Sequence, residues 1–236
     1  MLILMLPVAF FIGWLIYALL PTIIFKYVKT YTLPISNTGE KRLLLTFDDG
    51  PDPRYTYRVL EILKKYNIKA IFFLPAFKAL RYPGIADSIR RDGHMIGCHG
   101  HAHRNPLFQG PWTTKKDFRQ SSLVWEELGY SPQFYRPPHG CLNLSSLAAC
   151  RRYGYRLLLW NTIVGDWRNT GKDIILEILI ENLRPGNIIL LHDSGEDTGG
   201  EPGAPEGTIE ALAEFIPRAM ERGYCFISPE EYLNEP

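Results

Sequence analysis

Short apolar segments alternate with amphipathic helical segments from residue 42 to the end of the chain. Repeated strand–helix units imply a parallel sheet covered by helices, so the fold class is α/β. With seven such strands, we predict a distorted (β/α) barrel, closed or nearly closed. Strands are expected at residues 42–47, 70–74, 94–97, 133–136, 156–160, 187–191 and 224–227. Helices are expected around residues 59–66, 85–89, 114–128, 145–153, 174–183 and 208–221, the last interrupted by Pro217.

Composition places limits on function. The 236 residues, of which 46% are hydrophobic, suit one globular domain with a short appendage. A net charge of +1 without a block of lysine or arginine argues against a nucleic-acid partner. The four cysteines include no C-x-x-C pair, which argues against a zinc ribbon or a thioredoxin-type centre. They are compatible with buried thiols or with a disulfide.

The amino-terminal region carries no charged side chain from Leu2 to Phe25. Such a stretch is long enough to cross a bilayer as a helix of about 20 residues. We therefore expect a single transmembrane helix with its flank at residues 1–29, a tether at 30–40 and a catalytic domain at 41–236. A cleaved signal peptide is disfavoured, because no basic start and no small-residue cleavage site is evident.

Two adjacent carboxylates, Asp48 and Asp49, end the first predicted strand, and Gly50-Pro51 then forces a turn. Neighbouring side chains on an extended strand point to opposite faces, so the pair shares one site only if the chain turns there. One carboxylate could then bind a metal while the other handles protons. Taken alone, Asp-Asp-Gly-Pro is better explained by ordinary turn chemistry.

Histidines also follow predicted strands, at the edge where (β/α) barrels place their active residues. His99, His101 and His103 would share one side of an extended strand, whereas only His99 and His103 share a face of a helical turn. Gly97 and Gly100 weaken a regular strand here, so we favour the turn and regard His101 as an ordinary core or surface residue. Two histidines with one aspartate form a zinc-type site with open positions for water and substrate.

Five segments together resemble the motifs of the polysaccharide deacetylases, known as carbohydrate esterase family four, which include chitin and peptidoglycan deacetylases. The resemblance covers about residues 42–233, and the motifs occur in the family's order and approximate spacing. The segments are Thr-Phe-Asp-Asp-Gly-Pro-Asp at 46–52, His99-x-x-x-His103, Arg-Pro-Pro-His-Gly at 136–140, Asp166-Trp167 and Leu-His-Asp at 191–193.

The resemblance implies a role for each matching residue. One divalent metal is implied, with zinc expected and cobalt, nickel or manganese as alternatives. The implied ligands are Asp49, His99 and His103. The implied catalytic residues are Asp48 as general base, Arg136 as the residue that orients it, His192 as general acid and Asp166 as the residue that tunes it. The backbone N–H near His139 is the implied oxyanion donor, and Trp167 the implied pocket wall.

Two positions depart from the family pattern. Gly100 replaces the Ser or Thr that follows the first histidine, which removes a hydroxyl that would brace the metal-binding loop. His139 replaces a Tyr and adds an imidazole near the site, a change expected to affect substrate preference. We expect the glycine at position 100 to weaken metal binding or to loosen the loop.

These observations predict a metal-dependent hydrolase that removes the N-acetyl group from an amino sugar in a glycan such as cell-wall polysaccharide or chito-oligosaccharide. A deacetylase or deformylase of a lipid-linked amino sugar at the membrane is the alternative, and a non-catalytic carbohydrate-binding relative is an alternative of another class. The family's habit favours an extracytoplasmic domain. The basic residues Lys26, Lys29, Lys41 and Arg42 all follow the apolar stretch and favour the cytoplasm. The sequence leaves the oligomeric state open.

Overall fold

A curled parallel sheet forms the centre of the molecule. The structure, a computed structural model, describes residue 8, residues 10–28 and residues 40–234. Seven strands lie in the order β5-β4-β3-β2-β1-β7-β6, and β8 pairs with the start of β1. The prediction of a distorted (β/α) barrel is confirmed, but as a curled half-barrel: among the described residues the edge strands β5 and β6 do not pair with each other, so the expected closure is not seen. The described strands are β1 Lys41–Asp48, β2 Ile71–Leu74, β3 Met95–Cys98, β4 Phe134–Tyr135, β5 Arg156–Leu157, β6 Thr162–Ile163, β7 Asn187–His192 and β8 Tyr224–Phe226.

Helices cover the outside of this sheet. Their apolar residues recur at helical spacing, as in α1, where Val59, Leu60 and Leu63 are buried. A glycine in the left-handed conformation ends α4 at Gly129. The helices are α1 Thr56–Lys65, α2 Ala76–Arg81, α3 Pro83–Arg91, α4 Pro111–Leu128, α5 Leu144–Tyr153, α6 Lys172–Glu181, α7 Ala204–Glu221 and α8 Pro229–Leu233.

The alternation of side chains along β1 separates two hydrophobic clusters. Leu43, Leu45 and Phe47 pack in the larger cluster, which contains the buried faces of the helices. Leu44 packs in a smaller cluster made mainly of strand residues, which lies inside the curled sheet. Because side chains of a strand alternate, Asp48 shares the inner face with Leu44. The carboxylate that ends β1 therefore points into the barrel.

Several predicted boundaries need correction. The strand predicted at 156–160 covers only Arg156–Leu157. The short strand β6 and the short helix α2 were not predicted. Pro217 does not interrupt its helix, since α7 runs through it. Phe215 and Ile216 beside it are fully buried, and their packing outweighs the backbone hydrogen bond that proline cannot make.

Residues 10–28 form helical turns that lie against the barrel. Leu20–Ile23 is α-helical, flanked by π-helical turns. Within the described part of the chain, no helix has both the length and the apolar composition that a membrane span requires. The anchor predicted at 1–29 includes residues 1–7, 9 and 29, which lie outside the described residues. All of the predicted tether at 30–40 except Glu40 also lies outside them.

Candidate active site

The end of β1 turns sharply at its two carboxylates. Asp48 is level with His192 of β7, and Asp49 then adopts a left-handed conformation with φ of 75°. The next residue must be small, because a Cβ on Gly50 would lie 2.4 Å from both carboxylate oxygens of Asp193. This turn lets the two neighbouring aspartates reach different partners, so the pair is more than a simple loop.

Arg136 holds the first of these carboxylates. Its Nη1 donates to Asp48 Oδ1 at 2.7 Å and to Thr46 Oγ1 at 2.8 Å. Its Nε and Nη2 donate to the carbonyl oxygens of Leu158 and Leu159 at 3.1 and 3.0 Å. The side chain is fully buried, so these bonds fix both the guanidinium and the carboxylate in place.

Asp49, His99 and His103 form a cluster suited to a metal ion. Their ligand atoms all lie within 4.8 Å of one another. Asp49 Oδ1 lies 3.0 Å from His103 Nε2 and 3.5 Å from His99 Nε2. That buried oxygen accepts no hydrogen bond from the described residues, as expected of an atom reserved for a cation.

The histidine orientations also fit a metal. His99 Nδ1 lies 2.7 Å from the carbonyl oxygen of Arg136, so this nitrogen carries the proton and Nε2 is left to face the cluster. Burial lowers the pKa of His103 to about 4, and burial with the neighbouring His103 lowers that of His99 well below its usual value. Neutral imidazoles are the form that binds divalent metals.

Asp117 braces the histidine loop, a role that the sequence did not indicate. Its Oδ2 accepts a hydrogen bond from the backbone N–H of His101 at 2.8 Å. Gly100 has φ of +77°, and a Cβ there would lie 3.0 Å from the same oxygen. A carboxylate from α4 therefore supports a loop in which Gly100 provides no hydroxyl. Asp117 lies mid-helix, and no motif marked it. His101 lies outside the cluster of Asp49, His99 and His103.

At the end of β7, which neighbours β1, His192 pairs with Asp166. His192 Nδ1 lies 2.8 Å from Asp166 Oδ1, and the backbone N–H of His192 donates to Asp166 Oδ2 at 2.8 Å. Thr208 Oγ1 donates to the same carboxylate at 3.0 Å. The Trp167 ring packs edge-on against the imidazole, with centroids 5.7 Å apart.

Burial and charge shift the pKa values of Asp48 and His192. Burial raises the pKa of Asp48 to about 6, although Arg136 lowers it. Burial also disfavours the charged form of His192, but the adjacent Asp166 carboxylate outweighs this and raises its pKa to about 9. Between these values, the carboxylate is ionised and the imidazole is protonated. One group can accept a proton while the other donates one.

A cavity of about 320 Å³ brings these groups together. Asp48, Asp49, His99, His103 and His192 line it. His139 and Trp167 also line it, and the His139 ring lies 4.8 Å from that of His103. Arg136 and Asp166 contact two of the lining residues, Asp48 and His192 respectively. The sequence did not indicate the remaining lining residues: Lys26, Trp160, Ile163, Leu190, Thr198, Gly199 and Gly200.

A curled parallel sheet with an Asp-His-His cluster, a buried carboxylate and a protonated histidine at its carboxyl edge is typical of hydrolases that activate water. The sequence profile of the polysaccharide deacetylase family matches residues 35–158. The chain belongs to this family, and it is therefore a hydrolase of amide bonds of the polysaccharide N-deacetylase type.

Named relatives are similar over most of the chain. A peptidoglycan N-acetylglucosamine deacetylase of Bacillus cereus is 33% identical over 197 residues, covering 83% of this chain and 89% of the relative. A peptidoglycan N-acetylmuramic acid deacetylase of Bacillus subtilis is 30% identical over 227 residues, covering 92% and 79%. A solved peptidoglycan N-acetylglucosamine deacetylase superposes with a TM-score of 0.78 at 29% identity, covering 88% and 95%.

Proposed function

We propose that this chain is a metal-dependent N-deacetylase that releases acetate from an N-acetylated amino sugar of a cell-wall glycan. The relatives that act on peptidoglycan support the substrate class. The cluster of Asp49, His99 and His103 supports metal dependence, with zinc as the expected ion and cobalt, nickel or manganese as alternatives. When bound, the ion would polarise the acetyl carbonyl and lower the pKa of a water molecule.

Asp48 is the proposed general base. Its ionised carboxylate accepts a proton from the attacking water while Arg136 Nη1 holds Oδ1 in a fixed direction. Asp48 Oδ2 lies 3.7 Å from His99 Nε2, so the base is beside the proposed ligands. The water oxygen then adds to the acetyl carbon and gives a tetrahedral oxyanion, for which we propose the backbone N–H of His139 as a donor.

His192 is the proposed general acid. Collapse of the tetrahedral species breaks the carbon–nitrogen bond, and the leaving nitrogen takes a proton from the imidazolium. Acetate and a free amino sugar result. Asp166 keeps His192 protonated and oriented through the 2.8 Å contact at Nδ1, which leaves Nε2 for the substrate. Trp167 is the proposed wall against which the sugar packs.

The single observation that carries this proposal is the convergence of Asp48 and His192, with pKa values about 6 and about 9, on one cavity beside the Asp-His-His cluster. To test it, the purified full chain is incubated with N-acetylglucosamine oligomers, peptidoglycan and lipid-linked N-acetylglucosamine, and acetate is assayed. Acetate from at least one substrate is expected. A chain that releases no acetate from any of them and binds no zinc would favour a non-catalytic carbohydrate-binding relative.

The cellular location is a separate proposal. We place the catalytic domain on the extracytoplasmic face of the membrane, where cell-wall glycan is accessible. The basic residues Lys26, Lys41 and Arg42 favour the opposite side. A reporter fused to the carboxyl terminus distinguishes the two. A reporter active only in the cytoplasm would reverse this placement.

A further inference from the structure

Large apolar side chains are concentrated on one exposed surface beside the amino-terminal helical turns. Phe10 is 79% exposed, and Phe108 across a groove from it is 81% exposed. Trp112, which follows the groove-lining Pro111, is 83% exposed. We call this surface the apolar face. It comprises Phe10, Phe11, Ile12, Ile16, Phe108 and Trp112. Large apolar side chains exposed on both sides of one groove mark an interaction site.

Specific hydrogen bonds hold residues 10–28 in place on the barrel. Trp14 Nε1 donates to the carbonyl oxygen of Leu107 at 2.9 Å. Thr22 Oγ1 donates to the carbonyl oxygen of Leu142 at 2.8 Å and accepts from its N–H at 2.9 Å. Ala18 and Pro21 are buried on the same side. On the other side of these turns, Phe10, Phe11, Ile12, Ile16, Leu20 and Ile23 are exposed.

The charges around the apolar face match an anionic membrane surface. From Leu2 to Phe25 the sequence has no charged side chain. Lys115 Nζ lies 5.3 Å from the centre of the Trp112 ring, and Lys116 beside it is exposed. Apolar and aromatic side chains edged by lysines are the composition of segments that lie in the membrane interface. Lysines there attract anionic headgroups.

The apolar face is connected to the proposed active site. Lys26, at the end of the helical turns, lines the catalytic cavity. Leu142, which holds Thr22, lies three residues after His139, another lining residue. The helical turns therefore run from the apolar face at Phe10 to the cavity at Lys26. A sugar attached to a membrane lipid could reach the cavity without leaving the bilayer surface.

We infer that the apolar face docks on an anionic lipid bilayer and presents the catalytic cavity to N-acetylated amino sugars carried by membrane lipids. The substrate half of this inference rests on the proposed deacetylase function. The docking half does not depend on it.

Vesicle binding of the full chain tests docking. The test variant is Phe108→Ser/Trp112→Ser, and the matched control is Leu123→Ser/Ile174→Ser, which alters exposed apolar residues elsewhere (54% and 55% exposed). Vesicles of phosphatidylcholine with phosphatidylglycerol should bind the wild type and the control equally. The test variant should bind at least about tenfold more weakly, because two aromatic side chains that would be buried in the bilayer are removed.

Three results would overturn the docking half. The wild type could fail to bind vesicles, the test variant could bind as the wild type does, or the control could lose as much affinity as the test variant. Light scattering of the protein without lipid tests the other candidate occupant of the apolar face, a second copy of this chain. Concentration-dependent dimers of the wild type that are lost in the test variant, without vesicle binding, would assign the face to self-association and contradict the inference.

Acetate release separates the two halves of the proposal. With N-acetylglucosaminyl diacylglycerol in the vesicles, the test variant should be at least about tenfold slower than the control, in line with its weaker binding. With soluble N-acetylglucosamine oligomers the two should have the same rate. Acetate from soluble oligomers but none from the lipid-linked sugar would overturn the substrate half alone, whereas no acetate from any glycan would overturn the proposed function.

Discussion

Asp48 and His192 are neighbours across β1 and β7, yet their charged forms are stabilised to different degrees. Both are buried, and burial opposes charge at each. For Asp48, burial prevails over Arg136, and the pKa rises to about 6. For His192, the Asp166 carboxylate prevails over burial, and the pKa rises to about 9. At similar distances of 2.7 and 2.8 Å, the oppositely charged partner offsets burial only in part at Asp48 but outweighs it at His192.

Removing the Asp48 carboxylate is expected to have the largest effect. Asp48→Asn should lower turnover by roughly a thousandfold, because the amide cannot accept a proton from water. Zinc binding, measured by calorimetry, should persist, because Asp49, His99 and His103 are unchanged. Asp173→Asn, at an exposed carboxylate, serves as the control. Turnover near the wild-type rate would remove Asp48 from the mechanism.

Removing the His192 imidazole should be less severe when the leaving amine is a weak base. His192→Ala should lower acetate release from N-acetylglucosamine oligomers by about a hundredfold. The loss should be smaller for an activated anilide, whose nitrogen departs without full protonation. Equal losses for both substrates, measured as kcat, would contradict the assignment of His192 as proton donor.

Asp166→Asn should move only one side of the pH profile. In the wild type, activity should rise through about pH 6, as Asp48 ionises, and fall through about pH 9, as His192 loses its proton. Without the Asp166 carboxylate the pKa of His192 falls, so the alkaline limb should shift to lower pH by about one to two units. The acidic limb should stay in place. A shift of the acidic limb instead of the alkaline one would contradict the assignment of the alkaline limb to His192.

Asp117→Ala should have the smallest effect, on metal affinity rather than on proton transfer. The His101 N–H loses its acceptor, and the loop between His99 and His103 loosens. Support of this kind around metal ligands contributes about tenfold in affinity. Asp117→Asn keeps an acceptor oxygen and should keep the affinity, while both limbs of the pH profile stay unchanged in each variant. Equal zinc affinity in Asp117→Ala and wild type would remove Asp117 as a brace.

Much of the arrangement of the candidate active site was predictable from the sequence, because the ends of the strands determine which residues meet there. The alternating pattern predicts that Asp49, His99 and His192 follow parallel strands, and the carboxyl ends of such strands meet at one edge. The roles implied for these residues stay predictions that the variants above test. Contacts between distant segments were not predictable. Asp117 carries no motif, and Trp160 lies in an apolar run, so only the folded chain places them beside Gly100 and Gly140.

The amino-terminal turns illustrate the same limit. An uncharged stretch predicts contact with an apolar medium, but not which of its side chains face the protein. Thr22 and Trp14 are the residues that make hydrogen bonds to the barrel, and nothing in their sequence positions indicates Leu142 or Leu107 as partners. Such contacts depend on the tertiary fold and not on the local pattern.

Metal removal and return test the central claim most directly. The full chain is stripped with a chelator, and acetate release from N-acetylglucosamine oligomers or peptidoglycan is followed during titration with zinc. We expect no acetate from the stripped protein and full recovery at one zinc per chain, with cobalt as a second active ion. Undiminished acetate release after complete metal removal would contradict the assignment of Asp49, His99 and His103 as ligands of a catalytic metal.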